Sequence, residues 1–66
     1  MNNMYERAEE LMVSWVNGNR NTVVKELAEN KLLFAAFIEW SFVCSDIIKH
    51  KEVGIIAARV GEQWED

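Results

Sequence analysis

The chain has 66 residues, half of them hydrophobic, with one cysteine, one histidine and a net charge of −4 from 11 acidic and 7 basic residues. One cysteine excludes an intrachain disulfide, Cys44 and His50 are too few soft ligands for a structural zinc, and the acidic balance lacks the basic stripe of a nucleic-acid surface. A chain this short hides only about 60 % of its unfolded surface, so the stabilising device still open to it is association with another chain.

With no proline and three glycines, the chain reads as one all-α domain, 1–66, a small bundle of three to four helices around a central apolar one. Apolar residues at Met4, Ala8, Leu11, Met12 and Trp15 mark one face of a first helix, from Asn3 to about Val16. Asn2 or Asn3 is its candidate cap, and Glu6, Glu9 and Glu10 favour the positive end of its dipole. The run NGNRN (17–21) ends it, with Gly18 suited to the left-handed position after a helix. Asn21 then reads as the cap of a second helix, Thr22 to about Glu29, with Val23, Val24, Leu27 and Ala28 inward. Asn30 is a weak break, a reading preferred over one continuous helix from 22 to 44.

The third helix is expected from about Lys31 to Cys44, and KLLFAAFIEWSFVC is apolar on nearly every side. Leu33, Phe37, Trp40 and Cys44 form one stripe, Phe34, Ile38 and Ser41 a second, and Leu32, Ala35, Glu39 and Phe42 a third. A helix apolar all round is normally buried all round. The other helices can cover two of these stripes, and the third requires another chain. Fourteen residues reach about 21 Å, short of the roughly 30 Å of a bilayer core, and Glu39 interrupts the run; a membrane span is excluded. Ser45 and Asp46 are capping residues, and IIKHKE (47–52) reads as a hinge or a continuation. Val53, Ile56, Ala57, Val60 and Trp64 mark a last helix over 52–64. Gly54 and Gly61 weaken it by about 1 kcal/mol each relative to alanine, and the acidic tail Glu62, Glu65, Asp66 frays.

Catalytic chemistry has little to stand on. Cys44 and His50 lie six apart, off the spacing that brings side chains together on a helix, and phosphate-loop, dinucleotide, HExxH and EF-hand patterns are absent. Cys44 reads as a small core residue and His50 as part of a solvated turn. TVVKELAEN resembles the first helix of a helix-turn-helix, but the greasy segment that follows cannot serve as a recognition helix. Of the three tryptophans, Trp15 and Trp40 are assigned to the core and Trp64 to a contact with another chain. Glu39 is either an acid paired across an interface, a carboxylate tuned for proton transfer, or the exposed edge of a nearly buried helix; the last reading is preferred. In a symmetric dimer, two Glu39 side chains facing each other would oppose pairing at neutral pH.

The expectation is therefore a cytoplasmic homo-oligomeric module for protein–protein interaction, a homodimer or higher, without catalysis, cofactor, metal, nucleic acid or membrane. The free thiol and the lack of a cationic, apolar leader at MNNMYERAEE place it in a reducing cytoplasm. Interaction candidates are Phe34, Phe37, Ile38, Glu39, Phe42 and Trp64. The alternative is an acidic inhibitor whose Glu6, Glu9, Glu10, Glu26 and Glu29 occupy a basic surface of a nucleic-acid-processing enzyme. A helix-turn-helix-like transcriptional regulator is the weaker third.

Overall fold

The computed structural model describes residues 3–65, which form four helices: α1 (Asn3–Val16), α2 (Arg20–Glu29), α3 (Lys31–Ser41) and α4 (His50–Trp64). Asn2 as a cap and Asp66 in the tail lie outside the described residues. The Cα radius of gyration is 10.7 Å, against about 10.8 Å for a compact domain of this length. Whatever apolar surface stays exposed is thus not the product of a loosely folded chain.

Helix α1 follows its periodicity: Ala8, Leu11, Met12 and Trp15 are buried and Met4 packs against them. It ends at Gly18, whose φ of 103° is the left-handed conformation that glycine adopts without a side-chain clash. The Gly18 amide closes the end by donating to the Trp15 carbonyl at 3.0 Å. Helix α2 starts two residues before the expected Thr22. Asn19, not Asn21, holds the cap position, and its side chain makes no capping hydrogen bond. The break at Asn30 is real: its extended backbone (φ −139°, ψ 96°) ends α2, and its side chain accepts from the Leu33 amide at 3.1 Å to open α3.

The far end of α3 also departs from the expectation. Helix α3 ends at Ser41 rather than Cys44, because the Val43 and Cys44 amides both turn back to the Trp40 carbonyl (3.0 Å each) and the chain enters a run of turns. Within that run Ile48 is fully buried and anchors the core, and α4 begins at His50, two residues before the expected 52, so it takes in the second half of IIKHKE. Helix α3 is left open on one face by the chain's own helices, as expected. It packs mainly on α1 and touches α2 and α4, while α4 packs mainly on α2. The core runs between these pairs, joining Leu11, Trp15, Leu27, Phe37, Ile48 and Ile56. Gly54 and Gly61 mark no close approach, since a Cβ at either would meet nothing within 4 Å. Among the described residues no helix is long and apolar enough to cross a membrane.

Candidate interaction surface

The three stripes of α3 have three different fates. Leu33 and Phe37 are buried, with Cys44 beyond them and Trp40 half-buried at the edge. Phe34 and Ile38 are half-buried against the core, while Ser41 is buried with its hydroxyl donating to the Ile38 carbonyl at 2.6 Å. The third stripe is open. Leu32 is 70 % exposed and Phe42 66 %, Ala35 and Glu39 lie exposed between them, and Val43 adds 63 % beside Phe42. At 3.6 residues per turn, Lys31, Leu32, Ala35 and Glu39 fall within an arc of about 100°, and Phe42 and Val43 follow just past the end of α3. Other exposed apolar side chains, Val13, Val16 and Ile55, lie on α1 and α4 and are less open.

Of the interaction candidates, Phe37 has no exposed surface and belongs to the core, so it offers nothing to a partner. Leu32 and Val43, absent from the candidates, belong to the open arc. The signal for Leu32 was present in its own stripe, shared with Phe42. Glu39 is exposed, as preferred, but not idle: the Tyr5 hydroxyl donates to its Oε1 at 2.8 Å. That bond, together with the carboxylate charge, raises the Tyr5 pKa above its ordinary value. Trp40 is tied to α1 rather than sealed in the core. Its ring lies 4.9 Å from that of Tyr5 and its indole N–H donates to Glu9 Oε1 at 3.2 Å.

Trp64 is 40 % exposed, yet its indole N–H donates to the Ala28 carbonyl at 2.8 Å and its ring meets Phe34 edge-on at 5.5 Å. Lys31 Nζ lies 4.9 Å from the centre of the same ring, within cation–π range. Trp64 thus flanks the amino-terminal end of α3, while Phe42 stands at the other end with its ring 5.2 Å from that of His50.

The acidic side of α1 is already engaged. Arg7 grips Glu26 through two N–H groups (2.7 and 2.6 Å) and reaches Glu10 at 2.8 Å. Its guanidinium holds the Glu26 carboxyl below the usual carboxylate range. Glu9 accepts from Trp40 and, at 3.8 Å, from the Cys44 thiol. Burial pushes that thiol up, with the Glu9 and Asp46 charges adding to it, so Cys44 is a poor nucleophile at neutral pH. An open groove of about 630 Å³ between α2 and α4 carries Lys25 and Arg59 beside Glu29 and Glu62. Two cations and two anions give it no preference for a charged ligand. Comparison with family models, curated proteins and solved structures gives no match to this chain.

Proposed function

We propose that this chain is a homo-oligomeric protein–protein interaction module of the cytoplasm, working without cofactor or catalysis, and that it associates through the open arc of α3. The observation that carries the reading is the exposure of Leu32 on α3 and of Phe42 and Val43 just past its end, in an otherwise compact chain. Exposed apolar surface of this kind is what association removes from water, at about 25 cal/mol per Å² before the costs of ordering. The single thiol, buried and unreactive, suits a reducing compartment.

Unfolding midpoints measured in urea from micromolar to millimolar protein test this. A self-associating fold gains stability with concentration, so the wild-type midpoint rises. With Leu32→Asp and Phe42→Asp combined, it stays level because the charged arc no longer pairs. A wild-type midpoint independent of concentration sinks the reading.

The acidic-inhibitor reading draws on the exposed Glu6, Glu9 and Glu10 beside Val13. Its support is thinner, because a basic target would compete with Arg7 for Glu10 and Glu26 and with Trp40 for Glu9. Salt separates the two: an electrostatic complex weakens as ionic strength rises, whereas apolar self-association holds or strengthens.

A further inference from the structure

We infer that a second copy of this chain covers the α3 arc in one specific arrangement: antiparallel, with the two-fold axis passing at Ala35, so that each Lys31 meets the partner's Glu39. The inference rests on the self-association proposed above and adds its register. Lys31, Ala35 and Glu39 are all exposed and follow one another at one-turn intervals, about 6 Å apart along the axis. A positive, a small and a negative position in that order are complementary to their own reverse. Antiparallel copies centred on Ala35 make two Lys31–Glu39 pairs, and the small side chains at the axis let the helices approach closely.

Other arrangements fare worse. A parallel pairing sets lysine against lysine and glutamate against glutamate. An antiparallel pairing centred two residues later opposes Leu32 with the partner's Phe42. It also presses the Glu39 carboxylate onto the methyl of Ala35, which takes a charge out of water with no opposite charge facing it.

The charges are available. Lys31 lies over the Trp64 ring and has no carboxylate within salt-bridge distance among the described residues, and Glu39 accepts from the Tyr5 hydroxyl at Oε1 and, among the described residues, makes no ion pair. The ends of the arc also match. Trp64 flanks the Lys31 end and Phe42 the Glu39 end, so the antiparallel sense carries each Phe42 toward the partner's Trp64.

The test uses complementary charge variants of the full chain. Lys31→Glu and Glu39→Lys are each made alone, helicity is checked by circular dichroism, and association is measured by sedimentation for each variant and for their equimolar mixture. Alone, each variant makes two like-charge contacts in place of two favourable ones and should associate about tenfold more weakly than wild type. In the mixture, the glutamate introduced into one chain meets the lysine introduced into the other. The unaltered Glu39 of the first chain likewise meets the unaltered Lys31 of the second, and affinity should return. Ala35→Cys should also cross-link to its own copy on mild oxidation, faster than Leu32→Cys. Mixed variants that associate no better than separate ones, or Ala35→Cys that cross-links no faster than Leu32→Cys, would overturn this register while wild-type association stands. A wild-type chain that stays monomeric would overturn both the register and the proposal beneath it.

Discussion

On one side of α3, Leu33, Phe37 and Ser41 are packed away; on the other, Leu32, Ala35 and Phe42 face solvent although their side chains are as apolar. The two faces share a helix, a cap and a composition, so neither propensity nor hydropathy separates them. What separates them is supply. Helix α3 packs mainly on α1 and touches α2 and α4, and among the described residues no further element covers the third stripe. The buried face is explained by folding alone. The open face carries apolar surface that folding does not use, which is why the functional proposal sits there.

The strongest way to break this comparison is to truncate one aromatic on each face. Phe37→Ala removes a fully buried ring and should cost about 3–5 kcal/mol in urea unfolding, a large part of what a domain this small possesses. Phe42→Ala, measured on dilute protein, should stay within about 0.5 kcal/mol of wild type. Equal losses would mean that the two faces are not different in the way described. Asn30→Ala should cost about 1 kcal/mol by removing the acceptor that caps α3 at the Leu33 amide. Since that cap starts both faces, stability and self-association should fall together.

The smallest effect is expected far from the arc. Arg7→Ala should lower stability by a few tenths of a kcal/mol, because the pair with Glu26 is partly exposed to solvent. Arg7 holds the Glu26 carboxyl below its unfolded value of about 4.3. The contribution is therefore complete above that pH and is lost as pH falls through the lower folded value. Stability of wild type and Arg7→Ala should converge in acid, while their association at neutral pH should be the same. A large change in association on removing Arg7 would instead point to the acidic side of α1 as the interface.

Much of the architecture was legible because local chemistry decided it. Gly18 ends α1 by a backbone conformation few other residues adopt, and Asn30 serves as both stop and cap, so both boundaries show in single residues. The end of α3 was not legible: Phe42, Val43 and Cys44 carry no breaking signal, and the chain turns there so that Cys44 and Ile48 can enter the core. Ser45 and Asp46 do open a turn, as expected, but nothing in the sequence marks the start of α4, which follows Lys49 without a side-chain cap. The division of α3 into three stripes showed that one set would be left open, yet not which set it would be. That choice depends on where α1 and α4 land. The polar ties hidden from periodicity, Trp15 to Glu52 and Trp40 to Glu9, join residues more than thirty positions apart.

Sedimentation equilibrium of the wild-type chain beside Phe42→Asp, at neutral pH and across a thousandfold range of concentration, meets the central claim head-on. The wild type should move from monomer toward dimer as concentration rises, and the variant, folded to the same helicity, should remain monomeric throughout. Two indistinguishable profiles, both monomeric or both associated, would contradict the assignment of the open side of α3 as the surface through which this chain meets its partner.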